Sequence, residues 1–196
     1  MKQLSGKVFK YNVTNSNENS YLKIEEILTF KANEPLANSD RVTLNDFGEL
    51  IVPSTYETDV YYNKYDHLGN INEVILRGNQ SVTYLMGYNH TLPIAKIENT
   101  TYDQVLSKLN LLGQTIESLQ AKPDDQLRQI FIQLRDALPN AMITSYTHKP
   151  LIGMNSETDP SGRTSYYKYD NFGRLESILN RDENILKRFK YNYGSQ

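Results

Sequence analysis

The stretch Tyr166-Tyr167-Lys168-Tyr169-Asp170-Asn171-Phe172-Gly173-Arg174-Leu175 decides the fold. Tyrosine packs well on a pleated surface, so the first four residues favour a strand. An Asp that opens a turn can accept bonds from the backbone two residues on. Gly in the fourth place tolerates the positive φ that closes a hairpin. Arg174 to Leu179 is strand-like again, so the unit reads as strand, four-residue turn, strand. Asp170 and Gly173 shape the turn, and the tyrosines pack the strands.

Near copies lie elsewhere. Tyr61-Tyr62-Asn63-Lys64-Tyr65-Asp66-His67-Leu68-Gly69-Asn70-Ile71 repeats the unit, with Asp66 and Gly69 in the turn positions. Asp159-Pro160-Ser161-Gly162 is another Asp-x-x-Gly turn, with Pro at its favoured second place. Asn45-Asp46-Phe47-Gly48 is a degenerate copy, two strands and two turns before Asp66. Asn180-Arg181-Asp182-Glu183-Asn184 follows the last copy.

Between these units the alternation continues through residues 70–76, 81–88, 94–98, 142–148, 151–158 and 185–191. Residues 7–13 read as a strand, and residues 21–30 fit either a strand or a helix, with strand favoured by the neighbours. Residues 15–20 read as a turn. Over residues 101–138 the period changes from 2 to 3.6. Thr101 and Gln104 form a capping box. Val105, Leu106, Leu109, Leu112, Ile116 and Leu119 then predict one helix. Pro123, Asp124 and Asp125 open a second helix striped by Leu127, Ile130, Phe131, Leu134 and Leu138, and Pro139 stops it. The fold expected is mainly β with an α component. It is a meander of antiparallel hairpins making one long curved sheet over residues 1–196, a single domain, with an αα-hairpin inserted at 101–138.

Composition narrows the function. The 196 residues hold 21 basic and 23 acidic side chains, so no basic excess points to nucleic acid. The chain has no Cys, which excludes disulfides, thiolate catalysis and Cys-zinc sites. Fifteen tyrosines and no Trp suit sheets whose faces are half wet. Residues 1–6 have no apolar leader and no apolar run reaches membrane-spanning length, so neither a secretion signal nor a membrane span is expected.

The motifs do not spell a reaction. His67, His90 and His148 have no metal-ligand spacing, and no Gly-x-Ser-x-Gly elbow accompanies them. Asp66 and Asp170 could be paired carboxylates of a glycosidase, but the turn role accounts for both. No phosphate loop is present. Catalytic residues, metal ligands and cofactors are therefore expected to be absent. Tyr62 and Tyr166 are the candidates for stacking on a sugar ring.

With residues 167–175 and 61–71 in view, the chain resembles the RHS / YD-repeat family. Residues 84–96 and 146–154 resemble a subgroup common in Bacteroidetes. The resemblance covers about residues 40–196. It implies a spiralling sheet that in longer members closes into a hollow shell, around a toxin in bacterial relatives, with a related shell in teneurin-like adhesion receptors. A shell takes many more repeats, so a fragment or truncated member is expected, and because Glu183 stands where the family's turn carries Gly, a looser turn is expected at residues 180–183. The resemblance implies a non-enzymatic structural or interaction segment at the cell surface or in a secreted toxin system. Its partners would be a second copy, or the repeats of a parent chain, meeting at sheet edges. A carbohydrate-binding module is the second reading, with a glycan as partner, and a hydrolase the last.

Overall fold

A computed structural model describes residues 5–16, 19–31 and 41–192. They are mainly β, and the strands pair antiparallel. The chain packs as two compact units, residues 1–80 and 81–196.

In the first unit, β1 (Ser5–Ser16) and β2 (Asn19–Lys31) form a long ribbon, so residues 21–30 are strand. Most of the expected turn at 15–20 lies within these two strands, and residues 17 and 18 lie outside the described residues. Glu25 is an extra residue in β2, because Lys10 faces Glu26 while Tyr11 faces Ile24. An arm with β3 (Thr43–Leu44) and β4 (Leu50–Ile51) follows. β5 (Glu57–Tyr65) then pairs with β2, and β6 (Ile71–Leu76) with β5. Val8, Leu28, Phe30 and Tyr56 make a small core, backed by Val42 and Val52 from the arm. The other face of the ribbon is open, with Phe9, Tyr11, Val13 and Leu22 all exposed.

The second unit holds β7 (Gln80–Gly87), β8 (Leu92–Glu98), β9 (Met142–Lys149), β10 (Gly153–Thr158), β11 (Thr164–Tyr169), β12 (Leu175–Leu179) and β13 (Ile185–Arg188). Each pairs with the next in chain order. β13 ends at Arg188, short of the expected Tyr191. Beyond it, Phe189 N still donates to Glu176 O at 2.9 Å.

The insertion between β8 and β9 supplies a second layer. Thr101 caps α1 (Tyr102–Leu111), and Gln104 completes the box from the other side. The expected first helix does not run on to Leu119. Gly113 takes φ +69° and ends α1. Thr115 then opens a separate turn, α2 (Ile116–Leu119), with its own capping box to Ser118. α3 (Asp124–Ala137) follows, with Pro123 at its cap position. Val105, Leu109, Leu119, Leu127, Phe131 and Leu134 meet Leu85, Ile97 and Ile143 of the strands in one core. These nine side chains are at most 1% exposed.

The hairpin between β7 and β8 is unusual. Tyr88, Asn89 and His90 all have φ between +51° and +61°. Such geometry is disfavoured for residues with a Cβ. Thr91 N closes the turn onto Gly87 O at 3.0 Å, and the insertion holds it from outside. Gln120 accepts from His90 N and donates to Met86 O.

The repeated turn and the candidate interaction surfaces

One hydrogen-bond pattern recurs at five turns, opened by Asn45, Asp66, Asp159, Asp170 and Asn180. The first residue donates its N–H to the carbonyl four residues on, and its own carbonyl accepts the N–H of the fourth residue. At Asp170 these bonds run to Arg174 O and from Gly173 N, both 2.9 Å. The side-chain oxygen Asp170 Oδ1 then accepts from Phe172 N at 2.9 Å and Arg174 N at 3.0 Å. Asp66 does the same for Leu68 and Asn70, Asp159 for Ser161 and Arg163, and Asn45 for Phe47 and Glu49. The fourth residue sits in the left-handed region each time, as Gly48, Gly69, Gly162 and Gly173. An Asx turn thus supplies acceptors for N–H groups that the tight turn leaves unpaired.

Asn180 gives the same frame. Its N–H reaches Asn184 O at 3.0 Å, its carbonyl takes Glu183 N at 3.1 Å, and Oδ1 takes Asp182 and Asn184. The expected looser turn is therefore not found. Glu183 adopts φ +62° in the place of glycine, and the bonds close around it.

The fifth residue completes the logic. Arg174 Nε donates to Asp170 Oδ2 at 2.7 Å, Arg163 Nε to Asp159 Oδ2 at 2.9 Å, and Asn70 Nδ2 to Asp66 Oδ2 at 2.8 Å. Where the turn opens with Asn45, the roles reverse and Asn45 Nδ2 donates to Glu49 Oε2 at 2.7 Å. Donor and acceptor exchange sides while the bond stays. Hydrogen bonds from Ser161, then from Arg163, hold the Asp159 carboxyl down at about 2, and those from Arg174 and Phe172 lower Asp170.

Tyr62 and Tyr166 each have a ring face engaged. Tyr62 stacks on Tyr65 of the same strand, with centroids 6.4 Å apart. Residues three apart in a regular strand point to opposite faces. The pairing irregularities on either side of Lys64 bring these two together. Tyr65 Oη donates to Ile24 O, which ties β5 to β2. Tyr166 carries the Arg128 guanidinium 5.5 Å from its centroid.

His148 is tied into the structure through both its backbone and its ring. His148 N donates to Tyr88 Oη at 2.7 Å, and its ring lies edge-on to Tyr88 with Nε2 2.8 Å from Pro93 O. Tyr88 Oη donates in turn toward Asp124 Oδ1, and Asn155 binds the other oxygen of Asp124. Among the described residues, no three His, Asp or Glu side chains gather to hold a metal. No described helix is long and apolar enough to cross a membrane.

The sequence reading missed a buried hydroxyl strip. Ser145, Thr147, Ser156 and Thr158 are all buried, and Thr147 Oγ1 meets Ser156 Oγ at 2.7 Å. Two arginines of α3 lie over the strip. Arg128 Nη1 donates to Ser156 Oγ at 3.1 Å, and Arg135 Nη2 to Ile143 O at 2.9 Å. Burial lowers the Arg135 guanidinium, while the Asp159 charge opposes that shift. The alternation of small hydroxyls, Ser145-x-Thr147 and Ser156-x-Thr158, was the available signal.

Two clefts carry charged side chains in their walls. In the first unit a cleft of about 590 Å³ is lined by Lys7, Thr29, Lys31, Glu57, Asp59 and Arg77, and Arg77 already pairs with Glu57 and Asp59. In the second, about 740 Å³ opens beside the Asp159 and Asn180 turns, lined by Glu157, Arg163, Arg181 and Asp182. No known protein family matches the chain, and no curated protein matches it.

Proposed function

We propose that this chain is a non-enzymatic structural and interaction segment of the RHS / YD-repeat kind, working in a cell-surface or secreted toxin-associated assembly. The observation that carries the reading is the repeated joint. Five turns share one set of backbone and Asx bonds, and in four of them the side chain of the fifth residue bonds that of the first, as donor from Asn70, Arg163 and Arg174 and as acceptor at Glu49. A joint repeated in this way extends a sheet by adding hairpins, and a sheet so built offers edges to further strands. Its partners are then a second copy or repeats of a parent chain.

The glycan reading rests on Tyr62 and Tyr166, whose engaged ring faces leave only the opposite face of each for a sugar. Fractionation of the source cells with an antibody against the chain tests the proposal. Recovery in the surface or secreted fraction, joined to further repeats or to a partner, is the expected result. Recovery as an isolated cytosolic chain would overturn it.

A further inference from the structure

We propose that β1 is a homotypic docking strand: two copies pair β1 to β1 antiparallel, with Tyr11 facing Tyr11 of the second copy. The proposal rests on the reading of this chain as an edge-associating sheet segment, and names the edge and the register.

The two terminal strands of the chain's pairing order differ. β13 is four residues long and carries Lys187 and Arg188. Short, charged edges are the protected kind. β1 is twelve residues long and has no Pro. Its pairing with β2 is irregular at one point only, and the extra residue, Glu25, belongs to β2. β1 itself therefore carries no inserted residue along its length. Among the described residues β2 is its one strand partner, and Gly6 to Val13 present their other edge to a further strand. Phe9, Tyr11 and Val13 stand 50%, 55% and 58% exposed on one face of that edge. β1 also carries Lys7 and Lys10, but Phe9, Tyr11 and Val13 leave one face apolar from residue 9 to residue 13, and a long edge with such a face is the type that recruits a strand.

The sequence of β1 selects its own register. Antiparallel self-pairing has a two-fold axis, so each register is defined by the residue that faces itself. Centring on Lys10 sets two ammonium groups opposite each other, which is unfavourable. Centring on Phe9 puts Tyr11 against Lys7 and Val8 against Lys10, so apolar groups face charged ones. Centring on Tyr11 sets Tyr11 on Tyr11, Phe9 on Val13 and Lys10 on Asn12. Aromatic and β-branched side chains then meet on one face, and no like charges meet on the other. Lys10 also keeps its own partner, Glu26, at 2.9 Å.

The absence of Cys makes the register directly readable. Facing residues of an antiparallel pair have Cα atoms about 4.5–5.5 Å apart, within the span a disulfide bridges. Under mild oxidation, Tyr11→Cys should give a covalent dimer. Phe9→Cys and Val13→Cys should each stay largely monomeric alone, while the Phe9→Cys/Val13→Cys double variant cross-links. Sedimentation equilibrium of the unmodified chain should give twice the monomer mass at high micromolar concentration. Tyr11→Lys should weaken dimerisation about tenfold or more with an unchanged circular dichroism spectrum. A monomer at that concentration would overturn the proposal. A dimer that cross-links through Leu186→Cys on β13, and not through Tyr11→Cys, would also overturn it while leaving edge association standing. A dimer of the isolated chain whose full-length parent stays monomeric would assign β1 to a parent-chain strand, and so remove the second copy as its partner.

Discussion

Residues 81–196 and residues 1–80 are built from the same hairpins, yet among the described residues only the former cover a sheet face with helices. There, α1, α2 and α3 bring six nearly inaccessible side chains onto the strands. In the first unit, Val42, Val52 and Tyr56 shield one face of the ribbon, and Phe9, Tyr11, Val13 and Leu22 stand open on the other. A hairpin meander is half a fold, because an antiparallel sheet needs a second layer over any apolar face it carries. The insertion provides that layer once.

The largest test of this contrast is in the cores. Phe131→Ala should cost about 3–5 kcal/mol in urea unfolding, because Phe131 is enclosed by both layers. Phe30→Ala in the shallower core should cost clearly less, and equal losses would erase the distinction. Next comes the turn. Gly173→Val should lower stability by about 1 kcal/mol or more through its positive φ. Gly48→Val carries similar strain but sits between strands of two residues, so its effect on the melting temperature should be smaller. An unchanged melting temperature for Gly173→Val would refute the assigned role of that turn. Glu183→Gly should act in the opposite sense, raising stability by about 0.5–1 kcal/mol, since it relieves a left-handed residue in a turn that is otherwise intact.

The smallest effect is that of pH. Asp59 in the first unit and Asp159 and Asp170 in the second have lowered carboxyl pKa values. A folded value below the unfolded one, about 3.9 for Asp, gives a contribution fully present above that pH. For Asp159 it is lost as pH falls toward about 2. Melting temperature should therefore drop on acidification through this window, and Asp159→Asn should flatten the drop.

The sequence made the joints legible because each states its chemistry locally. Asp170 and Gly173 lie within one turn, and Thr101 with Gln104 caps a helix from four consecutive residues. What it hid depends on distance or on degeneracy. Leu112, Ile116 and Leu119 keep helical phase across the break at Gly113, because both segments present one face to the same core. Tyr62 and Tyr65 meet only because pairing slips around Lys64, which alternation does not reveal. Glu183 takes a glycine's conformation because neighbouring bonds hold it there. The stripe of hydroxyls under Arg128 and Arg135 reads in isolation like any half-wet strand.

The three left-handed residues at Tyr88, Asn89 and His90 impose an order on assembly. Left alone, each disfavours its own conformation by roughly 1–2 kcal/mol. Thr91 closes the turn locally onto Gly87 O and Tyr88 O, and further restraints come from Asp124, Gln120 and His148, which are distant in sequence. The β11–β12 hairpin, by contrast, carries its instructions within its own turn. Local hairpins with Asx joints are therefore expected to close early, and the β7–β8 turn to lock once the helices have docked. In pulse-labelled hydrogen exchange, the amides of Tyr88 to Thr91 would gain protection last, so a strained turn serves as the clock of the second unit's folding.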